Sequence, residues 1–283
     1  MTTILACTDG SVYAPSIYDH AAWAAGRLQA GVQVLHMIEH PEQPGPNDVS
    51  GAIGFDASAE LMAELVTLAE TQGRLAQAKA RAILQQAQEH LAAAGVTPVS
   101  VKMQHGSLVD ALPGAEAGEH LVIIGKRGEQ ADFAKLHLGS NLERVIRGSH
   151  QPVLVASRRF EPIERFLLAY DGSPSVLKAV DFVRQSPLLR GLHCHLLRAG
   201  KIDDTARYYL EETAGKLRES GCTVTTQATP GPAEEVIAAA VREQQSNLLV
   251  MGAYGHSRIR RFIIGSTTTA TIRTVTVPVL MFR

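Results

Sequence analysis

The sequence predicts an α/β protein made of two copies of one unit, each a parallel sheet with helices on both faces. Three observations carry this expectation. Short Val/Ile/Leu runs alternate with helical patterns along the whole chain. The runs are nearly continuous in apolar residues, as strands buried on both sides are. The order of segments in the first half recurs in the second.

The repeat is legible segment by segment. "ILACTDGSVYAPSIYDHAAWAA" near the start pairs with "FLLAYDGSPSVLKAVDFVRQS" from Phe166. Each is an apolar run, then Asp-Gly-Ser, then a helical pattern. "VQVLHMIEH" matches "LHCHLLRAG" as a second strand. "HLVIIGKRG" matches "NLLVMGAYG", and "QPVLVAS" matches "VPVLMFR". A tandem duplication is expected, with domains at 1–157 and 164–283 and the charged stretch "SRRFEPIERF" as the linker.

The halves differ between their second and third strands. The first carries a Pro/Gly-rich loop, "PEQPGPNDVSGAIGFDAS", then a long Ala/Leu/Gln-rich run. That run reads as one long helix or as two, broken at Gly73. The loop near residues 42–58 is either a longer cover for the sheet or a flap over a ligand.

Composition excludes several classes. The 283 residues carry 27 basic and 28 acidic side chains, a formal net charge of −1. No overall pull toward nucleic acid or an anionic membrane follows from that balance. Aromatics at 5% disfavour base-stacking platforms. No signal peptide and no spanning helix is visible, so a cytoplasmic location is expected. Cys7, Cys194 and Cys222 are scattered; Cys7 and Cys194 lie in strand-like runs and read as small core residues. His193 and His195 share one face of a strand in "HCH", without a close third metal ligand. His36 and His195 are read as occupying matching positions in the repeat, with a common structural role.

In an open parallel sheet a ligand sits beyond the carboxyl ends of the strands, where strand order reverses. With order 3-2-1-4-5, strands one and four are neighbours, and Asp9 with Gly125, or Asp171 with Gly252, flank that crevice. Gly252 and Gly255 let the chain turn sharply and approach a ligand. Gly265 then leads into a helix with Ser266 or Thr267 near its N-cap, where free N–H groups favour an anion. Asp171 suits a base amino group or a ribose hydroxyl rather than a phosphate. There is no GxxxxGK[ST] loop and no GxGxxG turn after the first strand.

At these residues the sequence resembles the universal stress protein family in its tandem form. The family's motif, Gly-x2-Gly-x9-Gly-(Ser/Thr), is met without a gap by "GAYGHSRIRRFIIGST". The resemblance implies two flavodoxin-like (adenine nucleotide alpha hydrolase-like) domains, each a five-stranded parallel sheet. It also implies ATP held between the first and fourth strands, with or without Mg²⁺. Carried over by position, Asp171 contacts the adenine and Leu196 lines its pocket. Met251, Gly252 and Gly255 form the turn, and Gly265, Ser266 and Thr267 hold the phosphates. His256 is either a phosphate neighbour or a loop histidine, and at most one of Arg258, Arg260 and Arg261 pairs with phosphate.

The first half departs from the motif. "GKRGEQADFAKLHLGSN" has one residue too many between its second and third glycines. Glu129 stands where the second half has His256, and Asn141 replaces a hydroxyl; an acid beside phosphates is repulsive. Asp9, Gly125, Gly128, Gly139 and Ser140 survive as a weaker set. The second domain is therefore expected to be the better site. No GxSxG elbow and no acidic pair on the phosphate side point to catalysis, so a regulatory ATP binder is expected, against a slow ATPase or phosphotransferase and against a scaffold with vestigial sites. The terminal strands "PVLVA" and "PVLMF" each end a sheet and could pair across the domains; the family resemblance implies that such a pairing makes the chain a covalent pseudo-dimer, with a further homodimer left open.

Overall fold

The structure, a computed structural model, describes residues 2–38, 55–115, 119–126, 140–253 and 266–283. The first repeat runs β1 (Thr3–Thr8), α1 (Ala14–Leu28), β2 (Gly31–Ile38), α2 (Phe55–Ala93), β3 (Val99–His105), α3 (Leu108–Ala115), β4 (Glu119–Gly125), α4 (Ser140–Gly148) and β5 (Val153–Ala156). The second runs β6 (Arg165–Ala169), α5 (Pro174–Gln185), β7 (His193–Ala199), α6 (Asp204–Glu219), β8 (Thr223–Thr229), α7 (Ala233–Glu243), β9 (Leu248–Gly252), α8 (Ser266–Thr274) and β10 (Val279–Phe282).

All ten strands form one sheet, in the order β3-β2-β1-β4-β5-β10-β9-β6-β7-β8. Each repeat has the expected 3-2-1-4-5 order and is parallel within itself. The join is the only antiparallel pair among the described strands: Val279 faces Val155, Leu280 faces Leu154 and Met281 faces Val153. The expected pairing of the two terminal strands is what the structure shows.

Strand alternation sends side chains to two cores. Ile4, Ala6, Phe166, Leu168, Cys194 and Leu196 face the layer of α1, α2, α5 and α6. Leu5, Val122, Leu167, Leu197 and Leu249 face α3, α4, α7 and α8. Both cores run unbroken from one repeat into the other, because β5 and β10 are buried on both faces.

Side chains also bridge the repeats. Arg27 donates to the carbonyls of Leu188 (2.9 Å), Pro187 and Arg190, while Ser16 Oγ holds the end of the first repeat at the Ser157 carbonyl (2.8 Å). Arg283 reaches the Arg147 carbonyl from the other side. Lys126 Nζ, one residue past β4, caps the carbonyl of Val275 at the end of α8, where the helix dipole favours a cation.

Helix α2 is one continuous helix of 39 residues, so Gly73 does not break it. A single glycine in a helix costs only about 1 kcal/mol, which the long run of Ala, Leu and Gln on either side absorbs. Its counterpart α6 has 16 residues. The loop read at 42–58 lies largely outside the described residues.

The histidines are placed differently from the expectation. Register sets His36 level with Thr8, one residue before Asp9, but sets His195 level with Leu167, four residues before Asp171. The counterpart of His195 is Gln33, level with Leu5, and the counterpart of His36 is Arg198. Segment similarity does not carry this stagger; only the hydrogen-bond ladder fixes it. His195 is held by Thr225 Oγ1 at Nδ1 (2.9 Å) and by Gln227 Oε1 at Nε2 (2.8 Å), so both ring nitrogens serve the β7–β8 contact. The three cysteines are free thiols and buried, and burial pushes the Cys194 and Cys222 thiols up.

Two histidines are held below their ordinary range, chiefly by burial. His20 donates from Nδ1 to the Ser16 carbonyl (2.6 Å), with Nε2 enclosed against the Phe160 ring of the linker; the backbone bond opposes the shift without reversing it. In His195, burial outweighs the bond to Gln227. A lowered histidine is neutral in the fold, while the unfolded chain takes up a proton below about pH 6.5. The stabilisation is complete above that value and is lost as pH falls toward the folded-state pKa. The melting temperature should therefore drop between pH 7 and pH 5, and the drop should shrink in His20→Gln. An unchanged slope in that variant would remove His20 from the account.

Candidate functional site

Strand order reverses at two topologically equivalent points, one beyond β1 and β4 and one beyond β6 and β9, where a crevice is expected. Asp9 follows β1 directly and Asp171 follows β6 by two residues, both half-buried. Each begins the same turn. Asp9 Oδ1 accepts the Ser11 N–H (2.9 Å), and Asp171 Oδ1 accepts the Ser173 N–H (2.9 Å). Gly10 and Gly172 between them have φ of 75° and 76°, a left-handed conformation that favours glycine. The Asp-Gly-Ser signature is thus an Asx turn that launches the following helix, and the carboxylate is pinned at the crevice by the backbone it organises.

In the second repeat the turn continues into a capped helix. The Ser173 hydroxyl accepts the Val176 N–H, and Pro174 occupies the first helical turn. This start of α5 lies against the end of β9. A Cβ on Gly252 would come within 2.4 Å of Ser175 Oγ and 3.2 Å of the Val176 nitrogen. The glycine at 252 is therefore required first by helix packing. Gly252 is not among the residues with positive φ.

Of the hydroxyl run, Thr267 is exposed on the first turn of α8, which Ser266 opens. Thr268, which the motif does not single out, is buried and donates to the Ala253 carbonyl (3.1 Å). That bond ties the start of α8 to the end of β9. Met251 is buried in the α7–α8 core. Gly125 ends β4 as expected, and Ser140 opens α4. Gly128, Glu129, Gly139, Gly255, His256, Arg258, Arg260, Arg261 and Gly265 lie outside the described residues.

Leu196 requires a correction. It is fully buried between Leu168 and the helices, three residues before the end of β7, and offers no surface to the crevice. Near the strand end stands Arg198, half-buried, whose Nη1 lies 3.9 Å from the position of a Cβ on Gly172. Its Nε is buried without a hydrogen-bond partner. Sequence reasoning missed it because an arginine in "HLLRAG" reads as a solvated strand end until the register is known.

The first crevice is shaped differently. A Cβ on Gly10 would strike Ile83 Cδ1 at 2.5 Å, so α2 lies directly on the first Asp-Gly-Ser turn. Tyr18 reinforces that corner: its hydroxyl bonds Thr8 Oγ1 (3.0 Å), and its ring packs on His90, which in turn holds Asp19 (2.7 Å). No α6 side chain meets a Cβ placed on Gly172.

Taken together, these features define a class: doubly wound α/β proteins, here with the unit and its strand-order switch duplicated in one chain. The model of the Universal stress protein family matches residues 1–157 and again 162–283. A universal stress protein of Synechocystis sp. is 41% identical over 290 residues, spanning all of both chains. The chain belongs to the universal stress protein family. Solved structures agree on the fold: a universal stress protein from Archaeoglobus fulgidus at TM-score 0.73 and 22% identity, covering 99% of this chain and 96% of that one. A second, described as a putative universal stress protein from Pseudomonas aeruginosa, gives 0.64 and 15%, covering 100% and 93%. No helix among the described residues is long and apolar enough to cross a membrane.

The contact at Gly252 yields a specific outcome. Gly252→Ala should cost about 1–3 kcal/mol through overpacking against α5. Adding Ser175→Ala should recover part of that loss, because it removes the nearest atom. Urea unfolding midpoints of the two variants measure both effects, and equal midpoints would refute the packing account.

Proposed function

We propose that the protein is an ATP-binding regulatory member of its family, with a role in stress response, and that the second repeat is the working site. One observation carries this reading. The uninterrupted glycine-and-hydroxyl motif spans from the end of β9 to the start of α8, at the switch point faced by Asp171. A helix start there offers unsatisfied N–H groups and a positive dipole end to phosphates. Asp171, fixed by its own Asx turn, offers a hydrogen-bond acceptor for a base or ribose donor. Arg198 adds a cation beside that turn.

The first repeat is proposed as the weaker or vestigial copy. Its motif carries the extra residue and Glu129, and Ile83 of α2 packs on its Asp-Gly-Ser turn. ATP would then be retained rather than turned over rapidly, with Mg²⁺ accompanying it only through the phosphates.

Mass spectrometry of nucleotide released by denaturing freshly purified protein should find about one adenine nucleotide per chain at most. Titration of ATP should weaken at least tenfold in Gly265→Ala and in Asp171→Asn, the latter keeping the turn's acceptor oxygen. Asp9→Asn and Gly139→Ala should leave affinity unchanged. An empty protein that also fails to bind added ATP would make both sites vestigial. Hydrolysis of labelled ATP well above the buffer rate, lost in Gly265→Ala, would instead make the protein an ATPase.

A further inference from the structure

Arg198 stands unpaired at a corner that the first repeat fills with protein. Cys194 and Leu196 face the α5–α6 layer, so Arg198, two residues on, points to the same side. Its lateral neighbours are Tyr170, one residue past β6, and Ala228 of β8. Arg198 Nη1 and the Tyr170 hydroxyl both approach the Gly172 turn, 3.9 and 4.0 Å from the position of a Cβ there. Arg198 Nε is buried without an acceptor, and no hydrogen bond or ion pair joins Arg198 to another described residue. A guanidinium is always charged, and holding one half-buried without an acceptor is costly. In the first repeat the counterpart His36 donates to the Thr8 carbonyl (2.8 Å), Tyr18 bonds Thr8 Oγ1, and Ile83 lies on the Gly10 turn. One copy of the corner is closed by protein; the other keeps unused donors.

Strand order says which part of a ligand these donors can meet. β6 lies between β9 and β7, so Arg198 is two strand spacings, roughly 10 Å, from β9. It also faces the α5–α6 layer, whereas α8 packs on the opposite face of the sheet. Phosphates at the start of α8 are remote from it, while Asp171 begins the very turn it sits on. Adenine carries an amino donor with a ring-nitrogen acceptor beside it. A carboxylate and a guanidinium side by side match that pair, one accepting and one donating.

We infer, on the reading of the second repeat as an ATP site, that Arg198 is a ligand-binding residue that reads the base. Its guanidinium donates to a ring nitrogen beside the amino group that Asp171 accepts, and it makes no contact with phosphate. Without ligand it has no bond to lose, so it contributes nothing to the stability of the empty fold.

Calorimetric titration of the full chain, freed of nucleotide, with adenosine and with ATP tests this in wild type and in Arg198→Met. Methionine keeps an apolar stem and removes the donors. Affinity for both ligands should fall by the same factor, about tenfold or more, as the loss of a charged donor implies. The empty variant should melt no lower than wild type. Of 1-deazaadenosine and 7-deazaadenosine, each lacking one ring acceptor, one should bind wild type more weakly than adenosine does, and the variant should not tell that analogue from adenosine. A loss for ATP without a loss for adenosine would put Arg198 at phosphate and overturn the inference. So would a lower melting temperature of the empty variant, which marks a structural arginine, or two analogues that bind wild type as adenosine does. ATP bound equally by wild type and variant would remove the inference alone; a wild type that binds neither ligand would remove the ATP reading and the inference with it.

Discussion

The antiparallel contact between β5 and β10 is the constraint on which the rest of this molecule depends. Each repeat ends in a four-residue apolar strand, buried on both faces, that in isolation would leave an open and adhesive sheet edge. Joining the two edges makes one sheet with a palindromic strand order, so the two crevices are related by a pseudo-two-fold. The outer edges that remain, β3 and β8, are polar: β8 is "TVTTQAT". The join also brings the repeats into chemical contact. Lys126, at the mouth of the first crevice, caps the far end of α8, whose other end opens the second.

Duplication relaxed the two copies differently, and the difference lies on one face. The first copy extended its second crossover helix to 39 residues, and the part of that helix over the sheet puts Ile83 on the Asp9–Gly10 turn. The second copy kept a 16-residue helix, with Arg198 rather than a helix side chain beside its turn. The same copy kept the unbroken glycine spacing. Motif and packing thus set the same repeat apart from its copy, for independent reasons.

The local chemistry of the sites is largely architectural. The Asp-Gly-Ser turn, the glycine at 252 and the Thr268 hydroxyl each have a structural partner: a backbone N–H, a helix start and a carbonyl. These contacts pre-set the positions of Asp171 and of the first turn of α8 without any ligand. A ligand bound as proposed would meet Asp171 and the first turn of α8 already held in place, which would lower the entropic cost of binding.

Much of this was legible in residues alone. The strand order and the pseudo-dimer of terminal strands are what the family resemblance implies, while the repeat and the placement of Asp9, Asp171, Gly125 and Gly252 at strand ends follow from apolar runs and turn signatures. These are short-range patterns, with period 2 in strands and specific residues at turns. What the tertiary structure alone decided concerns stagger and depth. Leu196 is core and Arg198 is the residue beside the Gly172 turn; His195 answers to Gln33 and not to His36; Gly73 does not break α2; and Ile83 rests on Gly10. The physical reason is common to these: strand register is set by hydrogen bonds between segments far apart in the chain, and helix placement by which faces can be buried together, neither of which a single segment's sequence contains.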